Sequence, residues 1–395
     1  MGRAVASLPN QHATSESRSA LQRLVEQYSD CPDFRYDNEN HVHLLVDVIV
    51  SAICAVIGGA NSWLAVARFA VCHQTWFRTF LELPCGVPSH DTYRRIFMLL
   101  DPKELNQRFA GWMALIAGSL NLKHIAIDGK TLCGSGGGKT ALTALHMVHA
   151  FATENGICLA QEAVDTKSNE ITAIPELLKL LDLKGAVVSI DAIGCQKEIA
   201  ADIVDAHADY VLAVKGNQER LHDDVQATLA DAEQRKDPPA DTTHATTHED
   251  NRGRVEKLTC YVKTDLSTIR DQQLWKGLKA VGVIISEREV NDKIEIEKRY
   301  FISSRVLTAQ EMLKVVRNHW KVENQLHWVL DVVFGEDAHQ LRVGHGPVNF
   351  TILRKLAHAL IKRRNPKHGI KGTREMAGWD LAVLEEIIQE ATFSP

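Results

Sequence analysis

Two short apolar segments that each contain an aspartate at their carboxyl end place the strongest constraint on how this chain can fold. The first, Lys123 to Lys130, is a predicted strand whose apolar part ends at Asp128. The second, Ala186 to Asp191, precedes a predicted helix from Cys195 to about His207 and a further apolar strand, Tyr210 to Val214. Buried strands that alternate with helices are typical of an α/β sheet.

The segment between these two aspartates predicts a hairpin. His146 to Thr153 and Gly156 to Val164 have the pattern of strands, and Glu154-Asn155-Gly156 between them is typical of a tight turn. A helix is predicted from Ile171 to Leu181. A hairpin followed by strand, helix and strand indicates an α/β sheet of mixed direction.

A third region carries an acidic residue on a predicted helix. Arg317 to Asp331 contains no Gly or Pro, and its apolar residues are spaced as on a helix with one buried side. Glu323 lies near the middle of this helix, with His319 four residues before it and His327 four residues after it. Thr308 is a predicted N-cap because Glu311 follows it three residues later.

The remaining parts of the chain complete the predicted domain organisation. Ser89 is a predicted N-cap within a helical N-terminal region, and alternating segments between Thr242 and Ser303 indicate antiparallel strands. The predicted segments are a disordered N-terminus (1–19), a helical domain that is a candidate DNA-binding domain (20–121), the first part of a catalytic domain (122–216), a helix with a β-rich insertion (217–307), and a helical closure with a basic C-terminal part (308–395).

Composition describes an ordinary globular protein. Of its 395 residues, 45% are hydrophobic and 24% are charged, and the net charge is -5. This average hides a local basic field near the C-terminus, formed by Arg342, Arg354, Lys355, Lys362, Arg363, Arg364, Lys367 and Lys371. A basic field of this kind suits a polyanionic partner such as DNA.

Cysteine usage and hydropathy bear on the cellular compartment. The eight cysteines are scattered without a Cys-x-x-Cys pair, and the N-terminus has no apolar signal segment, which favours a reducing cytoplasm. Val48 to Ala60 is apolar but shorter than the roughly 20 residues that cross a bilayer. We therefore expect a cytoplasmic protein without a membrane partner, in which Val48 to Ala60 is a buried helix.

Three carboxylates could converge at one edge of the predicted sheet. Asp128 and Asp191 lie at carboxyl ends of strands, where open α/β sheets bind ligands, and the helix of Glu323 could pack across the same edge. Converging carboxylates repel one another, and hard divalent cations remove that penalty. Two such ions about 4 Å apart would activate the attacking oxygen and stabilise the leaving oxygen in phosphoryl transfer.

Three other patterns resemble known functional motifs but match them incompletely. Gly134 to Thr140 resembles a phosphate-binding loop, but Cys133 occupies a position where that motif requires glycine, so we predict no nucleotide cofactor. His319, Glu323 and His327 lack the His-Glu-x-x-His spacing of a zinc hydrolase. Helical spacing favours the core over base stacking for Trp320 and Trp328.

The same residues match a known family. Ile127-Asp128-Gly129-Lys130-Thr131-Leu132, Ile190-Asp191-Ala192-Ile193-Gly194-Cys195-Gln196, and the stretch from His319-Trp320 to Leu330-Asp331-Val332 resemble the DDE transposases of bacterial insertion sequences. The branch that resembles this chain most contains the H-repeat-associated proteins. The resemblance extends from about His43 to Leu360.

The resemblance implies a ribonuclease-H-like fold with a β-rich insertion before the glutamate helix. It also implies that Asp128, Asp191 and Glu323 bind two Mg²⁺ or Mn²⁺ ions. The implied activity is cleavage of DNA strands at the element ends and transfer of the 3′ hydroxyls to target DNA, by a homodimer on double-stranded DNA. A catalytically inactive protein that binds DNA ends, and a metal-dependent nuclease without strand transfer, are the alternatives.

Candidate DNA contacts come from basic and polar residues near the predicted site and from the family motifs. Arg94 could face phosphates or be a solvated basic residue, and His319 and His327 could bind phosphates or support the glutamate. Lys215, Asn217 and Gln218 follow a strand end, and the same role is predicted for Lys130, Arg254, Arg342, Asn349 and Arg354. The chain departs from related transposases at Val316, His319 and Leu330, where those proteins carry Tyr, Arg and Lys.

Overall fold

A single mixed sheet organises the protein. The structure, a computed structural model, describes residues 20–35, 42–118, 122–136, 144–164, 169–234, 239–251, 254–290, 293–364 and 366–393. The strands are β1 (His124–Leu132), β2 (Leu145–Ala152), β3 (Ile157–Val164), β4 (Val187–Ile190), β5 (Asp209–Val214), β6 (Thr242–Asn251), β7 (Arg254–Lys263), β8 (Ala280–Val290) and β9 (Lys293–Ser303). They form a 9-stranded sheet in the order β3-β2-β1-β4-β5-β9-β8-β7-β6.

The strand directions confirm the mixed α/β prediction. β1, β4 and β5 run parallel to one another, whereas β2 pairs antiparallel with β1 and β3 antiparallel with β2. The predicted hairpin is therefore present, with Gly156 at a φ of 69° in its turn. A left-handed backbone of this kind costs glycine little, because glycine has no Cβ.

The β-rich insertion extends the same sheet. β6 to β9 form an antiparallel meander, and β9 also pairs antiparallel with β5 from Val211 opposite Ser303 to Val214 opposite Tyr300. The inserted strands are therefore joined by backbone hydrogen bonds to β5, which pairs in turn with β4, the strand that precedes Asp191.

Helices cover the sheet and form a body beside it. They are α1 (Ala20–Ser29), α2 (Leu45–Ile57), α3 (Trp63–Cys72), α4 (Gln74–Phe77), α5 (His90–Leu99), α6 (Pro102–Gly118), α7 (Glu170–Leu178), α8 (Lys197–Asp205), α9 (Glu219–Gln234), α10 (Ala309–His319), α11 (Trp328–Val332), α12 (Gly346–Arg363), α13 (Gly369–Trp379) and α14 (Leu381–Phe393). Ser89 caps α5 and Thr308 caps α10 with a capping box, as predicted. In the part of the chain that the structure describes, no helix has the length and apolar character needed to cross a membrane.

The helical body contains elements from both ends of the chain. α12 packs against α2, α5, α6 and β3, and α14 packs against α1. α2 is buried almost throughout, which confirms the buried-helix prediction for this apolar run. One hydrophobic core extends from α2 through α12 to the parallel strands. The segment 1–19, predicted to be disordered, lies outside the described residues.

The helix that carries Glu323 is not regular. α10 ends at His319, and the chain continues through a π-helical turn at Glu323–His327 into α11. Single π-helical turns inside α-helices occur frequently at functional sites. α10 also packs on the inserted strands through a second apolar cluster that includes Cys260, Ile284 and Met312.

Candidate metal centre

The two aspartates meet because their strands are paired in parallel. Ile127 of β1 lies opposite Ile190 of β4, so Asp128 and Asp191 are the next residues on neighbouring strands. Asp128 lies within β1, whereas Asp191 begins the loop after β4. The Asp191 Oδ1 atom accepts a hydrogen bond of 3.1 Å from the backbone amide of Ile193, which orients this carboxylate at the sheet edge.

The loop after Asp191 is braced by two residues that the sequence analysis assigned to DNA contacts. The Asn217 side-chain amide donates to the carbonyl of Ala192 at 2.6 Å, and the Gln218 amide donates to the carbonyl of Cys195 at 3.0 Å. In this structure both amides therefore hold the Asp191 loop. Lys215, three residues before Gln218, is exposed.

Glu323 approaches the same edge from the π-helical turn. His327 Nδ1 lies 3.0 Å from Glu323 Oε2 and 3.7 Å from Asp128 Oδ2. One potential ligand atom from each of Asp128, Glu323 and His327 lies within 4.8 Å of the others. The structure thus brings two of the three predicted carboxylates into one cluster. It also places His327 in contact with Glu323. This contact agrees with the prediction that His327 supports the glutamate.

The electrostatics of the site indicate uncompensated negative charge. Burial raises the pKa of Asp128 to about 7, with Asp191, Glu170 and Glu323 adding to the effect. Burial also raises the pKa of Asp191, with Glu170 as the next contribution, while Lys215 acts in the opposite direction. Two carboxyl groups whose anionic forms are disfavoured in this way are suited to bind a cation.

The donor set fits a divalent metal. Carboxylate oxygens are the preferred ligands of Mg²⁺ and Mn²⁺. An imidazole nitrogen suits softer divalent metals such as Zn²⁺. The Nε2 atom of His327 is buried and has no hydrogen-bond partner among the described residues. Burial lowers the pKa of His327 to about 4, so its imidazole is neutral near pH 7 and its ring nitrogens can accept or donate.

His319 has a different position from the one predicted for a DNA contact. Its Nδ1 atom lies 2.8 Å from the Ser189 hydroxyl, and the same hydroxyl lies 2.8 Å from His124 Nε2. Burial lowers the pKa of His319 to about 4. His319 therefore joins the end of α10 to β4, two residues before Asp191.

Lys130 also lies inside the protein. It is 8% exposed, its ammonium group pairs with Asp331 of α11, and Glu336 lies 3.8 Å away. Lys130 thus connects β1 to the helix that follows Glu323. Its burial does not support the predicted DNA contact.

The remaining predicted DNA contacts divide by burial. Arg94 and Arg342 are exposed, and Arg94 pairs with Asp91. Asn349 is buried and donates to the carbonyls of Phe97 and Leu100 at 2.8 Å. Arg354 is 0% exposed, so DNA cannot reach it in this structure. The side chain of Arg254 lies outside the described residues, as do residues 137–140 of the loop that resembles a phosphate-binding motif.

The two tryptophans near the glutamate are exposed. Trp320 is 51% and Trp328 56% accessible, so the prediction that they lie in the core was wrong. Trp320 is the C-cap residue of α10, beyond the last turn of that helix, and Trp328 follows the π-helical turn, which changes which side of the helix faces inward. The Arg299 guanidinium lies 4.9 Å from the centroid of the Trp320 ring.

A groove rich in basic residues lies between α10 and the inserted strands. Lys314, Arg317 and Lys321 line it on the helix side, and Asn324, the residue after Glu323, also belongs to its lining. These three cations were not predicted, although their spacing of three and four residues places them along one helix face.

Glu170, which raises the pKa of both aspartates, is not among the predicted site residues. The predicted helix begins at Ile171, whereas α7 begins one residue earlier, directly after its N-cap Asn169. The asparagine side chain accepts a hydrogen bond from the Ile171 amide, which is a signal that the sequence contained.

The chain is similar to known proteins over most of its length. The chain matches the family described as "Transposase DDE domain" over residues 120–360 and the family described as "DDE_Tnp_1-associated" over residues 25–113. It is 36% identical to "Putative transposase YncI" of Escherichia coli O157:H7 over 93% of this chain and 95% of that protein. It is also 36% identical to "H repeat-associated putative transposase YhhI" of Escherichia coli (strain K12) over 93% of this chain and 98% of that protein.

A third relative and one solved structure are more distant. "Inactive transposase YbfQ" of Escherichia coli (strain K12) is 36% identical over 19% of this chain and 89% of that protein. A cryo-EM structure titled "piggyBac transposase synaptic complex with hairpin DNA" shares 10% identity with a TM-score of 0.41, covering 95% of this chain and 78% of that one. A score this low adds nothing to the assignment. The family match and the long relatives are sufficient, and this chain belongs to the DDE transposase family.

Proposed function

We propose that this protein cleaves DNA strands at the ends of a mobile element and joins the freed 3′ hydroxyls to target DNA by two-metal phosphoryl transfer. The observation that supports this proposal is the cluster of Asp128, Glu323 and His327, together with Asp191 on the neighbouring parallel strand, whose charge helps to raise the pKa of Asp128. Family membership supports the general activity of a transposase.

The chain's own residues have distinct tasks in this proposal. Asp128 and Asp191 would hold both ions, and Glu323 would complete one of the two sites. When bound, the ions supply activation of the attacking oxygen and stabilisation of the leaving oxygen. His327 contacts both Glu323 and Asp128 and orients the glutamate, while the braced loop after Asp191 fixes the second aspartate.

The basic groove gives the DNA a path to this centre. Phosphate groups bind to lysine and arginine without regard to base sequence, and Lys314, Arg317 and Lys321 follow one another towards Glu323. Two element ends must be brought together for strand transfer, so we further propose that the protein acts as a homodimer on DNA.

Incubation of the purified protein with DNA that contains the element ends, together with Mg²⁺, tests the proposal. Cleavage followed by joining supports it. Cleavage without joining identifies a nuclease, and end binding without cleavage identifies an inactive end-binding protein. Either of these outcomes overturns the proposal.

The variant Asp191→Asn separates chemistry from binding. We expect cleavage to fall by more than about 100-fold, since changes to groups around a metal already cost 10 to 100-fold, while end binding in a gel-shift assay persists. Asp202→Asn is the matched control, because Asp202 is exposed on α8. Cleavage by Asp191→Asn at the rate of the control would remove Asp191 from the mechanism.

A further inference from the structure

Glu170 is held at the edge of the metal centre by a chain of contacts. It is the first residue of α7, and its side chain is 13% exposed. His146 Nε2 lies 2.5 Å from Glu170 Oε1, and His146 Nδ1 lies 2.9 Å from the Thr131 hydroxyl. Thr131 and His146 are paired residues of β1 and β2, so the carboxylate is attached to the same strand that carries Asp128.

The glycine that follows Asp128 makes room for this carboxylate. A Cβ atom on Gly129 would collide with Glu170 Oε1 and would lie 2.7 Å from His146 Nε2. Successive positions along a strand point to opposite faces of the sheet. Glu170 therefore reaches the edge from the face opposite to His327, which lies 3.7 Å from Asp128 Oδ2 and 3.0 Å from Glu323 Oε2.

The charge of Glu170 acts on both aspartates. Its charge raises the pKa of both Asp128 and Asp191, and for Asp191 it is the largest contribution after burial. The amino end of α7 and the His146 contact offset part of this repulsion. A divalent cation bound between these acids would remove the remaining repulsion.

We infer that Glu170 is a fourth carboxylate of the metal centre, which holds a divalent cation together with Asp128 and Asp191 from the face opposite to Glu323. This inference rests on the proposed two-metal function of the site. Glu170 completes a set of oxygen donors that surrounds the sheet edge on both faces, and Gly129 is the residue that admits it.

A purely structural role for Glu170 makes the opposite predictions. If the His146–Glu170 contact serves only to hold α7 against β2, Glu170→Gln weakens the fold and leaves metal binding unchanged. If Glu170 is a metal-binding carboxylate, the same variant relieves repulsion in the metal-free protein and weakens metal binding. The two roles are therefore separated by measuring stability and metal affinity on the same sample.

The experiment is a titration of the full chain with MnCl₂, without DNA, followed by thermal unfolding. Glu170→Gln is expected to need about 10 to 100-fold more Mn²⁺ for the same stabilisation, and its metal-free unfolding midpoint is expected to rise. Glu176→Gln is the matched control, since Glu176 lies on the same helix, is 61% exposed and pairs with Lys179. We expect the control to follow the wild type in both measurements.

A second variant keeps all four carboxylates. Gly129→Ala is expected to displace Glu170, the flexible end of which would meet the new methyl group, and to weaken Mn²⁺ binding in the same direction. If Glu170→Gln binds Mn²⁺ with wild-type affinity, whether or not its metal-free unfolding midpoint falls, the inference about Glu170 is overturned. The proposed metal function is not affected by that result. Wild-type protein that Mn²⁺ does not stabilise overturns the proposed metal function, and the inference with it.

Discussion

Two regions of this protein carry an excess of charge of opposite sign. The first, here called the acidic edge, comprises Asp128, Asp191, Glu323 and Glu170. The second, here called the basic core, comprises Arg354 and Lys355 of α12 with Glu336. In the acidic edge, the side chain of Glu323 is 62% exposed, so an ion can enter from solvent. In the basic core, both cations are 0% exposed.

The basic core has an excess of positive charge. Lys355 donates to His149 Nε2 and to the Gln161 side chain, and burial lowers its pKa to about 8. Burial also lowers the pKa of Arg354 to about 10, and among the described residues its guanidinium nitrogens have no hydrogen-bond partner. Burial would raise the pKa of Glu336, but the neighbouring cations outweigh it and lower the pKa.

Two histidines in edge-to-face contact lie between these regions. The ring centroids of His149 and His327 are 5.4 Å apart, with an angle of 64° between the ring planes. His149 is hydrogen-bonded to Lys355, and His327 contacts Glu323. The comparison of the two regions shows two ways in which a protein accommodates charge that no nearby opposite charge neutralises. The acidic edge leaves it open to an incoming ion, whereas the basic core surrounds it with one carboxylate and aromatic packing.

Glu336→Gln tests the basic core and has the largest expected effect. Removing one partner of a buried ion cluster costs about 3–5 kcal/mol of unfolding free energy, because the remaining charges are left uncompensated. Urea unfolding at pH 7.5 measures the change. The exposed Glu295→Gln is the control and is expected to stay within about 0.5 kcal/mol. A loss below about 1 kcal/mol for Glu336→Gln would show that the core does not depend on this carboxylate.

Asp128→Asn tests the acidic edge and has the opposite sign. The folded protein raises the pKa of Asp128 from 3.8 to about 7, so the anion costs stability above pH 7 and costs none below pH 4. The variant should therefore unfold less readily in the absence of metal. At about 1.4 kcal/mol per pKa unit, the gain is at most about 4 kcal/mol above pH 7.

The pH dependence of that gain is the measurement. Urea unfolding of wild type and Asp128→Asn with EDTA at pH 4, 5.5 and 7.5 should give a difference that grows with pH. Taking the difference cancels the buried histidines, whose lowered pKa values destabilise both proteins as pH falls below 6.5. A difference that is constant with pH would mean that Asp128 is not under repulsion.

Lys130→Met tests the boundary between the two regions. The change leaves Asp331 and Glu336 without this partner, and we expect a loss of about 1–3 kcal/mol. The salt dependence of DNA binding should remain that of the wild type, because the ammonium group is buried. A slope of log affinity against log salt that decreases by about 1 would instead identify a phosphate contact.

Trp328→Ala tests the exposed rim of the acidic edge and has the smallest expected effect on stability. Because the side chain is 56% exposed, the unfolding free energy should change by no more than about 0.5 kcal/mol. Trp112→Ala is the contrasting variant, since Trp112 is 4% exposed and its loss should cost about 3–5 kcal/mol. Equal losses would place Trp328 in the core after all.

The parallel strands and their aspartates could be predicted because local pattern determines them. Apolar runs bounded by turns give strands, and two parallel strands in register bring Asp128 and Asp191 to one edge whatever surrounds them. The caps at Ser89 and Thr308 are equally local. Most of the fold that positions the two aspartates therefore follows from short stretches of sequence.

The basic core and the exposed tryptophans could not be predicted in this way. Arg354 lies in a helix whose sequence suits a solvated basic face, and only its packing between the sheet and α2 buries it. Trp328 follows a π-helical turn that sequence periodicity does not reveal. Glu170 lies about 40 residues from Asp128 along the chain, and only the fold places its charge beside both aspartates.

The pairing of β9 with β5 limits how the protein can move around its substrate. The inserted strands cannot swing away from the metal centre without breaking a ladder of backbone hydrogen bonds next to Asp191's own strand. The groove and the acids therefore behave as one rigid template of constant spacing. If DNA lies in that groove as proposed, any adjustment that brings its scissile phosphate to the acids has to come from the duplex, and the ease of bending at the element end would contribute to recognition.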